Sequence, residues 1–173
     1  NKYFCFPQTL FFYIIKHTNP YQKTKLRCPG PDWFEFGEFC YKPFGDKRTW
    51  QDAQSKCRDL GAELVSIMSM KEQSWVETTN NLWTGLNDLL VPGYSWTDGT
   101  PLSHTNWGPG EPNNHEGREE CVEMVSSTNG TFSWWNDLNC DAHQDWISQQ
   151  RQRRRAVCSD QQTSRYSIYL VCF

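Results

Sequence analysis

Hydrophobic positions in this chain arrive in short bursts, and aromatic rings carry most of them. Residues 34–44, FEFGEFCYKPF, cluster rings on either side of Gly37, which predicts two short strands joined tightly. Gly45-Asp46 then predicts a turn. From Thr49 the period changes. Trp50, Ala53, Cys57 and Leu60 share one helical face, Thr49 with Asp52 marks a start, and Gly61 sits where the helix should stop. Ser69 and Glu72 form a second start signal, a capping box ahead of Trp75 and Val76. Beyond Leu82-Trp83 the pattern gives way to residues 87–120, rich in Gly, Pro, Asn and Asp, with apolar punctuation at Trp96 and Trp107. A connection that long inside a domain is functional or disordered, and the tryptophans favour function. Strands are predicted at 121–125 and 131–135, with a last one around Trp146-Ile147. No internal repeat or heptad pattern is visible.

Composition narrows the class. A chain of 173 residues suits one domain with flanking material. Hydrophobic residues make up 37% and aromatics 15%, with 9 Trp, so a core of few large rings is expected rather than a disordered chain. Eight cysteines, at 5, 28, 40, 57, 121, 140, 158 and 172, show no CxxC pair and no paired His spacing. That argues for disulfides over zinc, an oxidising compartment and an exported protein. Charge is uneven: residues 28–148 hold seven basic and nineteen acidic side chains, residues 1–27 five basic and none acidic, and residues 149–173 five Arg and one Asp. An acidic middle is either a solvated surface or a place that expects cations, and it disfavours a nucleic-acid partner. The apolar run from Leu10 to Ile15 is far too short to span a bilayer, so no membrane insertion by this segment is expected. No targeting segment is recognisable, which leads to the expectation of a piece of a longer protein.

The segments CPGPDWFEFGEFCYKPF, TWQDAQSKCRDLGAELVSI, WTGLND, GYSWTDGTPL, NWGPGEPNN, EECVEM and WWNDLNC follow one another across residues 28–148. Together they resemble the C-type lectin family, in the style of a single carbohydrate-recognition domain of the mannose receptor family. The resemblance implies an α+β, C-type lectin-like fold: two short helices flanking small antiparallel sheets, a long calcium-binding loop region and disulfide bracing. It places the domain at 28–148, residues 1–27 outside the fold, and 149–173 as a poorly ordered basic tail. It implies the bridges Cys28–Cys40 and Cys121–Cys140. The family's partner for Cys57 would stand where this chain has Ser148, so Cys57 is expected to remain a buried thiol unless Cys158 or Cys172 reaches it. In function it implies Ca2+-dependent binding of mannose-, fucose- or N-acetylglucosamine-type glycans or glycoproteins. The setting would be one domain of an endocytic or cell-surface receptor, extracellular, with tandem lectin domains in the parent. Glu111-Pro112-Asn113 has the mannose-type order, where Gln-Pro-Asp would accompany galactose, and Pro112 resembles the family's cis proline.

The residues themselves lead the same way. Glu111, Asn113, Glu119, Asn136 and Asp137 supply five oxygen-bearing side chains from three places, which suits Ca2+ with its roughly 6–8 oxygen ligands rather than Zn2+. A sugar hydroxyl has one proton and two lone pairs, so it can meet a metal, a carboxylate and an amide NH2 at once. Glu111 with Asn113, and Glu119 with Asn136, would each serve one of two neighbouring hydroxyls. These five residues are therefore candidates for both metal and sugar, with His115 either packing on the sugar or standing in solvent. Alone, Glu-Pro-Asn-Asn reads as an ordinary surface turn; its company gives it meaning. Asp88, Asn114 and Glu120, beside Glu119, form a weaker auxiliary calcium set. Trp83, Trp96, Trp107 and Trp135 read as core and loop-packing residues. Asn129-Gly130-Thr131 is a glycosylation sequon, and 151–155, RQRRR, reads as a solvated tail. No nucleophile elbow, HExxH, phosphate loop or Cys–His pair is present, and carboxylates sharing a dication stay ionised, so an enzyme is not expected. The rival is a lectin-like module that reads protein without sugar or calcium.

Overall fold

The joint expected at Gly37 is made by a glycine in the left-handed region, φ 58°, between β1 (Phe34–Phe36) and β2 (Phe39–Arg48). This computed structural model describes residues 26–77, 80–89, 92–126 and 132–154. The chain divides into Cys28–Arg153 and a second unit made of residues 1–27 and 154–173, of which only 26, 27 and 154 are described, as extended backbone.

Strand β2 runs past the turn expected at Gly45-Asp46 and absorbs it as an irregularity of register between Phe44 and Arg48. Two indoles explain why the chain stays extended there. Trp146 Nε1 donates to the Asp46 carbonyl at 3.2 Å and Trp83 Nε1 to the Arg48 carbonyl at 2.8 Å. Phe44 stacks on Trp146 with centroids 3.8 Å apart.

Helix α1 (Trp50–Asp59) starts as expected, with Thr49 Oγ1 accepting from Asp52 N at 3.3 Å. Its inward face needs one correction. Leu60 caps the helix and is 42% exposed, whereas Gln54 is buried because its amide oxygen accepts from Leu64 N at 3.1 Å. Helix α2 (Met70–Val76) is capped by Ser69 Oγ accepting from Glu72 N at 3.2 Å. The other half of the expected box is absent: the buried Glu72 carboxylate instead accepts from Met68 N at 2.9 Å and from the Tyr41 hydroxyl.

The remaining strands are β3 (Glu63–Leu64), β4 (Leu82–Asn87), β5 (Ser95–Trp96), β6 (Cys121–Val125), β7 (Trp134–Leu138) and β8 (Gln144–Arg151). They join in one eight-stranded sheet, order β1-β2-β8-β4-β6-β7, with β3 on β8 and β5 on β4. The β4–β8 pair is parallel and every other pair antiparallel. Strand β7 lies three residues later than the expected 131–135, because the pairing of Val122 with Asp137 and Met124 with Trp135 sets its register. The last strand runs beyond the expected domain end at Ser148. Gln149 is buried there, accepting from Ser66 N at 2.7 Å and donating to the Tyr41 hydroxyl at 3.1 Å. Trp83, Trp96 and Trp135 are core residues, and Trp107 is half-buried against Trp135. Among the described residues no helix is long and apolar enough to cross a membrane.

The bridges Cys28–Cys40 and Cys121–Cys140 are both formed. Cys57 is a free thiol with no exposed surface, and Ser148 Oγ lies 2.9 Å from its sulfur, in the place a second sulfur would take. Burial pushes the thiol up to about 12, so it is inert as a nucleophile at neutral pH. Cys5, Cys158, Cys172 and the sequon at Asn129 lie outside the described residues. Ser148→Cys should close a bridge to Cys57 under oxidising conditions and add about 2–4 kcal/mol, a rise in melting temperature on the order of 5–10 °C. Calorimetry of the full chain, with the bridge confirmed by mass spectrometry, checks this; an unchanged melting temperature refutes it.

Candidate functional site

Strand β7 carries the site and the long loop is laid onto it. Trp135 N donates to the Asn106 carbonyl at 2.7 Å and Gly108 N to the Trp135 carbonyl at 2.9 Å, which pins the loop just ahead of Glu111. Gly108 is required there: a Cβ would run into the Trp134 indole. At the far end of β7 the Cys121–Cys140 bridge ties the chain beyond it to β6. From Gly108 the chain turns through Gly110, φ 87°, into a cis Glu111–Pro112 bond, as expected.

Asp137 then gathers the loop. Its carboxylate has no exposed surface and accepts from Asn113 N at 3.0 Å, Asn114 N at 2.7 Å and the Tyr94 hydroxyl at 3.1 Å. Asn113 Nδ2 donates to Glu111 Oε1 at 3.0 Å. Glu119 accepts from His115 N at 2.9 Å and gives its own N–H to Asn114 Oδ1 at 3.1 Å. Thus Glu111, Asn113, Asn114, Glu119 and Asp137 are brought together. Asn136 neighbours Asp137 on β7, but its amide NH2 is turned to Glu123 Oε1, 3.1 Å away.

The charge of this group is not balanced from within. Glu111 Oε2 is buried without a hydrogen-bond partner. Its carboxyl is held above the ordinary range by desolvation first, then by contact with Asp137, with further repulsion from Asp137 and Glu119; the Asn113 amide opposes these. The Tyr94 hydroxyl is raised as well, by burial first and then by the charges of Asp137, Asp88 and Glu119. Three carboxylates and two amides form an all-oxygen donor set with surplus negative charge, and that fits a hard dication such as Ca2+. Among the described residues no three His, Cys, Asp or Glu side chains are already drawn around one point. Both Asp137 oxygens are turned instead to N–H and O–H donors.

The remaining candidates are less engaged. The His115 side chain is 74% exposed, with Nε2 3.9 Å from Glu116 Oε1, in a short 3-10 turn where Asn114 and Glu116 have positive φ. Asp88 N donates to the Glu120 carbonyl at 3.0 Å, and Asp88 Oδ1 is buried without a partner. Among the described residues no hydrogen bond joins this pair to Asn114 and Glu119. A cavity of about 720 Å3 beside Arg58, Arg151 and Arg153 contains none of these residues. Sequence reasoning missed Tyr94 and Glu123. Tyr94 reads as one more loop aromatic until its hydroxyl is seen on Asp137. Glu123 sits between buried Val122 and Met124, where strand alternation would have turned it to solvent.

Residues 46–150 match the sequence model of the Lectin C-type domain. The mouse (Mus musculus) low affinity immunoglobulin epsilon Fc receptor is 39% identical over 128 residues, 71% of this chain and 37% of the receptor. C-type lectin domain family 4 member M of Hylobates lar is 37% identical over 136 residues, 73% of this chain and 32% of that protein. The chain therefore spans less than two fifths of the length of these relatives. The cow CD23 carbohydrate-recognition domain, solved in the presence of GlcNAc2Man3 oligosaccharide, superimposes with TM-score 0.66 at 33% identity, over 75% of this chain and 99% of that one. A calcium-independent type II antifreeze protein also reaches 0.66, at 28% identity, over 76% and 99%.

The electrostatics make a prediction for the metal-free protein. A carboxyl whose folded pKa is raised binds its proton more tightly folded than unfolded, so its folded state loses stability as pH rises from the unfolded pKa through the folded one. Glu111→Gln removes that penalty. In a chelator the variant should melt above wild type at neutral pH, and the gain should shrink below the ordinary carboxylate range. A gain that persists in acid, or none at neutral pH, contradicts this account of Glu111.

Proposed function

Since the chain belongs to the C-type lectin domain family, we propose that it binds mannose-type glycans through a calcium ion at Glu111, Asn113, Glu119, Asn136 and Asp137. The observation that carries this reading is the buried, unpartnered Glu111 oxygen packed against Asp137 with Glu119 nearby. Nothing among the described side chains supplies the positive charge those three carboxylates need, and a dication would.

Bound there, Ca2+ would offer positive charge and open coordination positions for two adjacent sugar hydroxyls. The side chains do the selecting. Glu111 and Glu119 accept the hydroxyl protons, while Asn113 and Asn136 donate N–H to the remaining lone pairs. Asp137 fixes the loop on which Glu111 and Asn113 ride, through the two backbone N–H groups it holds. Asp88, Asn114 and Glu120 would make at most a weak auxiliary site, and His115 would pack on the rim of a bound sugar. We take the module to run from Cys28 to the end of β8, to work outside the cell or at its surface, and to bind without catalysis. Its role within a longer receptor is part of the same proposal.

The alternative is a module that reads protein without metal, and the calcium-independent antifreeze relative shares the fold closely enough to keep that alternative open to test. Full-length protein on immobilised mannose should be retained with millimolar Ca2+ and released by chelator. Glu111→Gln with Asn113→Asp should shift retention from mannose towards galactose, because exchanging acid and amide changes which hydroxyl geometry is served. Retention that ignores the chelator sinks the calcium reading, and a double variant that still prefers mannose sinks the assignment of these two residues.

A further inference from the structure

Glu123 is a carboxylate with 5% of its surface exposed, and among the described residues no cationic side chain is bonded to it. Three amides from three parts of the chain hold it. Asn136 Nδ2 on β7 donates to Oε1 at 3.1 Å, and Asn81 Nδ2 ahead of β4 and Gln144 Nε2 at the start of β8 donate to Oε2 at 3.0 and 2.8 Å. Glu123 and Asn136 are also direct cross-strand partners.

A carboxylate only accepts hydrogen bonds, whereas an amide can present either end. An amide beside a buried carboxylate must therefore turn its NH2 inward and its oxygen away. Asn81 shows the consequence, since its outward oxygen accepts from Ser126 N at 3.0 Å. Asn136 is held the same way round, yet its oxygen has no donor among the described residues. Asn136 directly precedes Asp137 on β7, and one of its two N–H hydrogens has no acceptor among the described residues.

Resting on the calcium reading above, we propose that Glu123 is the positioning residue that orients Asn136. It holds the amide so that the oxygen faces the cation position and the second N–H faces a sugar hydroxyl. A glutamine at 123 could donate as well as accept, so it would no longer dictate which end of Asn136 points outward. Asn136 would then offer NH2 to the cation in part of the population.

The test uses the full chain. In chelator, the side-chain amide protons of Asn136, assigned by their loss in Asn136→Asp, should be resolved and slow to exchange in wild type and should become fast in Glu123→Gln. Titration with Ca2+ alone should show affinity falling about tenfold or more in that variant, the usual effect of removing a group that orients a ligand. Gln144→Ala, which strips a different amide from the same carboxylate, should alter melting temperature more than calcium affinity. Glu123→Gln combined with Asn136→Asp reverses donor and acceptor, lets Gln donate to Asp, and should recover most of the lost affinity. An Asn136 signal indifferent to Glu123→Gln overturns the proposal, as does an affinity loss that Gln144→Ala reproduces and the reversed pair fails to rescue. A wild-type chain that takes no calcium, yet shows the fixed amide, defeats the site reading and leaves the orientation itself established.

Discussion

The long loop depends on one buried carboxylate. Asp137 is fully enclosed, and what makes the burial tolerable is that donors converge on it: two successive backbone N–H groups and one phenol. Hydrogen bonds to an ionised acceptor are shorter and stronger than neutral ones, and a buried charge that lost them would be costly. The loop donors stand 23 and 24 residues from their acceptor in sequence, so these bonds decide where the loop lies. Glu111 and Asn113 inherit their places from Asp137.

Asp137 in turn owes its position to aromatic packing. It lies two residues from Trp135 on β7, hence on the same side of the strand, and Trp135 is met edge-on by Trp96, His104 and Trp107 at 5.5 to 5.8 Å. Tyr94 joins the two systems, with its ring 4.9 Å from Trp107 and its hydroxyl on Asp137. Packing and polar anchoring are therefore one structure, and a loop with almost no regular backbone can be well placed. The same economy shows at the Cys57–Ser148 position. There the core closes around a thiol and a hydroxyl, because β8 is already held on both flanks by β2 and β4.

How much of this was legible beforehand follows the range of the interactions. Helix starts at Thr49 and Ser69 are local, three residues apart in each case, and sequence reads them well. The glycine joint at 37 was legible too, and so, through resemblance, were the two disulfides; of the five loop candidates, Glu111, Asn113, Glu119 and Asp137 lie together, whereas the Asn136 amide is turned to Glu123. Long-range partners were not. Leu60 has the helical period of an inward residue, but Gln54 is buried in its stead because its amide satisfies Leu64 N, an arrangement periodicity cannot see. The turn at Gly45-Asp46 yields to two indoles roughly 35 and 100 residues away. Glu72 gives up its capping bond for Tyr41, 31 residues distant. The Glu123 cage draws on amides 42, 13 and 21 residues away, so no window along the chain would have found it.

The charge arrangement also bears on how strongly such a site can bind. On the proposed reading the carboxylates must remain ionised to hold a cation, so protons and metal compete for them. Without the cation, Glu111 faces Asp137 with one oxygen unpaired, which favours taking up a proton. Proton uptake and metal loss then reinforce each other. A sugar held mainly through two hydroxyls in an open site gains little buried area, and affinity near millimolar, about 4 kcal/mol, is what such contacts ordinarily yield. Binding that weak is useful only when several copies act together, since a second linked site converts its own association into an intramolecular step. Weak single-site binding also makes release sensitive: a modest fall in calcium occupancy at each site is multiplied across every copy engaged. On the proposed reading, the unbalanced negative charge fixed in place by Asp137 is thus the feature that would let a bound sugar go.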